Sequence, residues 1–152
     1  MIPTTRFAVA LMLSLSVGGC SASNGDGAPL DLEEARAVWE NRSIDDYGMT
    51  FQQICFCPPG LRQPLDVQVV DGQVKNVTGL EQPVEYPELL DAGRLTIEGL
   101  FRFIENTKLR DRGKLRVEYN QEYGFPALIE YEGDPRIADD QLQYRITDFQ
   151  PR

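Results

Sequence analysis

The sequence predicts an α+β domain in which two amphipathic helices pack on one face of an antiparallel sheet of about six strands, in the order αβββ-αβββ. Three observations lead there. Leu32, Ala35, Val38 and Trp39, and later Ile97, Leu100, Phe101 and Ile104, recur at helical spacing. Large apolar residues alternate with small or polar ones at 47–52, 65–69 and 114–119, the period of a strand with one buried face. Asp71-Gly72 stands between two such runs and supplies the residue types of a tight two-residue hairpin turn.

The domain is preceded by an export segment. Residues 1–19, MIPTTRFAVALMLSLSVGG, carry one positive charge at Arg6, an apolar run from Phe7 to Val17, and then small residues, the layout of a signal peptide. The run is too short to span a bilayer, which takes roughly twenty residues. Val17-Gly18-Gly19-Cys20 follows directly and resembles the lipobox of bacterial lipoproteins. That resemblance implies a diacylglycerol on the Cys20 thiol and cleavage that leaves Cys20 first. An ordinary secreted protein with Cys20 as a spare thiol is the alternative. Ser21 rather than aspartate after the cysteine implies the periplasmic side of the outer membrane, if the organism has one. Residues 20–30 then read as the lipidated N-terminus and a flexible Gly/Pro-bearing tether, and 31–152 as a single α+β domain.

Within the domain, Asp31 followed three residues later by Glu34 is close to a capping box and opens a helix over 32 to about 42, with Trp39 anchoring it on the core. The strand from Tyr47 places Gln53, Cys55 and Cys57 in phase with Tyr47, Met49 and Phe51, so both thiols should face the core or its rim. Residues 65–70 and 73–78 form the hairpin about Asp71-Gly72; Val77 lies out of phase with Val74, as an edge strand tolerates. Residues 80–95, with Pro83, Pro87 and Gly93, read as a connecting loop. Thr96 caps the second helix, with Glu98 in its first turn and Lys108 and Arg110 near its end, and the helix should stop by Gly113. Strands are expected at 114–119, 127–132 and 141–149, the last with Leu142, Tyr144 and Ile146 on one face. The two halves match in element order and suggest a repeat, though not in residues.

Composition narrows the functions. Loss of residues 1–19 removes Arg6 and no acid, leaving 14 basic against 24 acidic residues, a net charge of −10. Such a surface repels phosphate backbones and anionic lipid, so nucleic acid is not expected as a partner, and membrane attachment must come from the lipid. Histidine is absent, which excludes Ser-His-Asp and Cys-His nucleophile systems, the common zinc sites and histidine pH switches.

Trp39, Tyr47, Cys55-Phe56-Cys57-Pro58, the Val67–Val74 hairpin, the Ile97/Leu100/Phe101/Ile104 helix, Tyr119 through Tyr123-Gly124-Phe125-Pro126, and Asp139-Asp140 together resemble a family of bacterial lipoproteins classed only as a domain of unknown function. The likeness spans about residues 32–150. It implies an envelope location and an α+β domain and lends no activity, substrate or cofactor.

Three places could carry chemistry. With Cys20 lipidated, Cys55 and Cys57 have only each other inside a monomer in an oxidising compartment. Residues two apart in a regular strand have Cα atoms roughly 6.6–6.8 Å apart, the far limit for a disulfide, so a bond needs a bend. Pro58-Pro59-Gly60 supplies one. A local structural disulfide is the leading reading; a redox-active pair, a soft-metal clip for Cu(I), and free or intermolecular thiols are the alternatives. Against reactivity, no Lys or Arg stands within four residues in sequence. Second, Tyr123 and Phe125 beside Gly124 and Pro126 could grip a partner or a sugar ring, or fold back on the sheet in a tight turn. Third, Glu132, Asp134, Asp139 and Asp140 could offer oxygen ligands to Ca²⁺ but lack the EF-hand spacing, and read as a solvated acidic loop.

The expectation is therefore a membrane-anchored envelope lipoprotein whose domain binds a protein or ligand and catalyses nothing, with no cofactor and no metal. The alternatives are a thiol-redox or soft-metal-handling protein acting through Cys55 and Cys57, and an inhibitor-like domain that blocks an enzyme with one sheet face.

Overall fold

A computed structural model describes residues 28–152 apart from 111–112, 135 and 138. The signal segment, Cys20 and most of the tether lie outside the described residues. The elements run α1 (Leu32–Arg42), β1 (Tyr47–Ile54), the one-turn α2 (Pro59–Arg62), β2 (Leu65–Val70), β3 (Gln73–Gly79), two 3-10 turns (Pro87–Leu89 and Ala92–Arg94), α3 (Ile97–Arg110), β4 (Lys114–Tyr119), β5 (Pro126–Glu132) and β6 (Gln141–Pro151).

All six strands form one antiparallel sheet in the order β3-β2-β1-β6-β5-β4. Each half is a three-stranded meander, and the first and last strands join them at the centre. The halves do not map onto each other as a tandem repeat: β1 opens its half at the middle of the sheet, whereas β4 opens its half at an edge. β3 is the other edge, as its sequence suggested.

Both long helices cover the face formed by Tyr47, Met49 and Phe51 of β1, Leu65, Val67 and Val69 of β2, Ile129 of β5, and Tyr144 and Ile146 of β6. The capping box at α1 is complete: the Glu34 N–H donates to the Asp31 carboxylate (2.9 Å) and the Asp31 N–H to the Glu34 carboxylate (3.1 Å). Thr96 caps α3, its Oγ1 accepting from the Gly99 N–H at 3.0 Å. The helices are tied to each other as well as to the sheet. Trp39 donates its indole N–H to Glu98 (3.0 Å), and Arg36 lies 3.4 Å from Glu98 and 3.5 Å from Glu105.

Three bulges sit where simple alternation fails. Lys75 is the extra residue of β3, so Val77 and Val74 oppose Val67 and Val69 on one face despite their odd spacing. In β6 two residues, Asp148 and Phe149, oppose Met49 alone; Asp148 takes φ 49° and Phe149 turns inward against Trp39 and Tyr47. Ala127 is the extra residue of β5 opposite β4.

Candidate functional site

The sheet has two unlike ends. At one lie the loops 43–46, 71–72 and 120–125 and the C-terminus; at the other lie the connections that leave β1, β3 and β5 and the end of α3.

The first end is closed by rings. Phe149 packs 4.7 Å from Phe125, 5.2 Å from Tyr123, 5.4 Å from Tyr47 and 5.9 Å from Trp39 between centroids. Tyr123 and Phe125 therefore fold back onto the sheet. Phe125 is 3% exposed and cannot meet a partner, while Tyr123 is half-buried under the Arg42 guanidinium, 5.5 Å from its ring. The turn allows this because Gly124 takes φ 81° and lies against α1, where a Cβ would strike the Ala35 carbonyl. Tyr47 is pushed up to about 12 by burial, even though its oxygen accepts the Ile97 N–H at 2.9 Å.

The second end holds the cysteines. β1 stops at Ile54, so Cys55 and Cys57 fall just beyond the strand; the bend brings their Cα atoms to 5.3 Å and the sulfurs are bonded. Both cysteines are half-buried, at the rim. The same phase that turns them inward turns Phe56 outward, and it is 82% exposed. Pro59 begins α2, a single turn that redirects the chain into β2.

Gln63 holds this end together. It is 3% exposed; its amide donates to the Gly60 carbonyl (2.8 Å) and its oxygen accepts from the Glu81 and Gln82 N–H groups (3.0 and 2.9 Å). One side chain thus pins the disulfide turn to the loop after β3. No spacing rule singled out Gln63, because its partners lie about eighteen residues away, across the hairpin.

The acidic set is spent largely on its own loop. The Asp140 carboxylate accepts the Asp134 N–H at 2.8 Å, and Lys114 faces Glu132 at 3.5 Å. Arg136 bonds Asp134 through two side-chain nitrogens (2.9 and 2.7 Å), which holds that carboxyl below the usual range. Among the described residues no three such ligands converge on one point.

Two open grooves meet at Cys55 and Phe56. One, of about 520 Å³, crosses the strand ends from Ile54 and Phe56 to Lys114 and Arg116. The other, of about 1020 Å³, lies between α3 and the 133–140 loop, with Phe103, Tyr131 and Arg94 on its walls. Arg94 is fixed there by Asp91 (2.9 Å) and the Tyr144 hydroxyl (2.6 Å) and lies 4.9 Å from the Phe103 ring centre. Burial raises the Tyr144 pKa against the opposing effect of Arg94.

Seven large apolar side chains are exposed among the described residues, and of these Ile54 and Phe56 line the grooves. Ile54 and Phe56 are at the end of β1, and Leu80, Tyr86 and Leu89 are on the loop leaving β3. Ile137 is in the β5–β6 loop, and Leu109 is in the last turn of α3. Residues 80–95 form the connection that the sequence predicts, and in it Leu80, Tyr86 and Leu89 stand among acids rather than in a buried stripe.

Taken as a class, this is a small antiparallel α+β domain with one end sealed by aromatic packing and the other open, apolar and disulfide-bearing. Residues 31–151 match the profile of DUF6174, a family of unknown function, and the chain belongs to that family. Neither a curated protein nor a solved structure matches it.

Proposed function

We propose that this is a lipid-anchored envelope protein, held to the membrane through Cys20, whose domain binds another protein at its disulfide-bearing end and catalyses nothing. One observation carries the reading: the exposed large apolar side chains among the described residues stand on the connections that leave β1, β3 and β5 and in the last turn of α3, whereas at the other end the rings turn inward. Burial pushes Tyr47 and Tyr119 to about 12, so neither hydroxyl ionises near neutral pH. The outer sheet face, which an inhibitor-like domain would use, presents Arg116, Glu118, Glu130, Gln143 and Arg145, with Ile54 and Phe56 as the large apolar side chains at its edge.

Photo-crosslinking in native membranes tests the reading. A benzophenone side chain at position 56 should give one discrete protein adduct, and the same group at position 75, on the far edge strand, none. No adduct from position 56, or equal adducts from both, removes the docking end.

A second reading rests on Cys55 lining both grooves. A partner thiolate could attack one sulfur, form a mixed disulfide and release the other sulfur as a thiolate, free then to exchange or to take a soft cation such as Cu(I). Intact-mass measurement after mild reductant and alkylation of the folded protein decides it: two alkyl groups support exchange, and none until denaturation makes the bond a structural staple.

A further inference from the structure

We infer that the exposed loop 80–91 receives a cationic amphipathic segment of a protein, its apolar side chains on Leu80, Tyr86 and Leu89 and its Lys or Arg side chains on the carboxylates between them. This rests on the docking end proposed above and specifies its occupant.

The apolar part of the surface is built to stay out. Leu80, Tyr86 and Leu89 are each more than half exposed, while their neighbours Val84 and Leu90 pack on the core and hold the loop from beneath. The root is pinned by Gln63. The far end is closed by Asp91, which accepts the Gly93 N–H (3.0 Å) and pairs with Arg94 (2.9 Å). Tyr86 takes φ 57° ahead of Pro87 and opens a 3-10 turn. Glu85 lies against Gly60, since a Cβ there would sit 3.4 Å from the Glu85 Cβ, so the loop abuts α2. A loop ordered before binding loses less entropy on contact than a loose one.

Charge decides what covers this apolar surface. Between residues 80 and 93 there are four acids and no base. Asp91 has Arg94, whereas Glu81, Glu85 and Glu88 are exposed and make no ion pair among the described residues. An anionic lipid surface would be repelled by these carboxylates. A second copy would bring the same three carboxylates against their own kind, on a chain of net charge −10 once residues 1–19 are removed. A basic segment with an apolar face satisfies both the exposed rings and the unpaired charges.

The test uses the full chain in zwitterionic lipid nanodiscs and two labelled peptides of one length and one Leu face, one with Lys and one with Glu on its polar face. Empty nanodiscs correct for lipid binding. The Lys peptide should bind about tenfold or more tightly than the Glu peptide, with an affinity that falls as salt rises. E81Q/E85Q/E88Q should remove most of that preference, and Y86A/L89A should weaken both peptides; circular dichroism of each variant confirms the fold.

Equal binding of the two peptides, or a preference untouched by the triple variant, overturns the inference. So does concentration-dependent dimerisation abolished by Phe56→Ala, or adhesion of this face to the lipid itself. A benzophenone adduct from position 56 together with any of these results leaves the docking end standing and discards only its cationic occupant. Absence of the adduct discards the end itself.

Discussion

The two ends of the sheet use the same kinds of residue to opposite purposes. At the closed end, Trp39, Tyr47, Tyr123, Phe125 and Phe149 pack on one another. Three bulges, at Lys75, Ala127 and Asp148-Phe149, lie in the strand segments next to that end. A bulge re-aims a side chain, and the one in β6 delivers Phe149 to the cluster. At the open end the strands are regular up to their last residues, and the exits are held by a polar pin, Gln63, and by the Cys55–Cys57 bond, neither of which covers apolar surface. One end is closed by burial and the other is shaped by local polar and covalent ties, so the two ends are separable by mutation.

The sharpest break of that division is Trp39→Ala. Trp39 is buried, packs edge-on against Tyr47 and Phe149, and donates to Glu98. Its removal should cost about 3–5 kcal/mol in denaturant unfolding, with the Cys55–Cys57 bond intact by mass. A loss below about 1 kcal/mol would mean that the rings do not hold the closed end.

Alkaline pH should act through the same cluster. The folded-state pKa of Tyr47 is raised to about 12 by burial, whereas the unfolded chain ionises near 10. Its contribution is therefore fully present below pH about 10 and is lost as pH rises from about 10 through 12, by an amount on the order of 3 kcal/mol. Tyr119, also about 12, adds to the slope. Tyr47→Phe should flatten the decline across that window in unfolding measured as a function of pH; an unchanged slope would remove Tyr47 as its source.

Much of the closed end was legible in the sequence and much of the open end was not, for physical reasons. Periodicity finds α1, α3 and the strands, because burial of one face imposes it, and Asp71-Gly72 marks its hairpin because both residues adopt positive φ (52° and 66°). Periodicity misleads where a bulge inserts a residue: a count of two puts Val77 out of phase and Phe149 off the inner face, because it cannot register Lys75 and Asp148 as extra residues. The DUF6174 assignment agrees with the resemblance read from the motifs. Strand order lay beyond the sequence, since β1 and β6 pair across nearly the whole domain. So did the pin at Gln63, whose partners are set by tertiary approach.

The open end should respond more mildly. Gln63→Ala leaves the Glu81 and Gln82 N–H groups without their acceptor and should cost about 1–3 kcal/mol. Hydrogen exchange at those two amides should accelerate more than at the core strands. Uniform acceleration would show instead that Gln63 supports the whole fold. Cys55→Ser/Cys57→Ser should cost less, at most about 1.6 kcal/mol, because a bond between residues two apart closes a very short loop in the unfolded chain. Thermal unfolding that fell as far as in Trp39→Ala would contradict a merely local role.

The smallest expected effect on stability is also the one that separates the two ends best. Phe56 and Phe125 each sit in a turn rich in Pro and Gly, ICFCPPG and YGFPA, and the sequence offers the second either as a place for partner contact or as a tight turn folded back on the sheet. The structure has the folded-back turn: Phe125 is 3% exposed, whereas Phe56 is 82%. Phe125→Ala should therefore destabilise by about 3–5 kcal/mol, whereas Phe56→Ala should change unfolding by no more than about 0.5 kcal/mol. The 82% exposure of Phe56 at the groove mouths is what the proposed docking end would cover. If Phe56→Ala leaves stability unchanged and weakens partner binding, the disulfide has a purpose beyond stapling, which is to present that ring on a rigid turn. If Phe56→Ala destabilises as much as Phe125→Ala, the ring is part of the core in solution, and the distinction between a sealed end and a docking end fails with it.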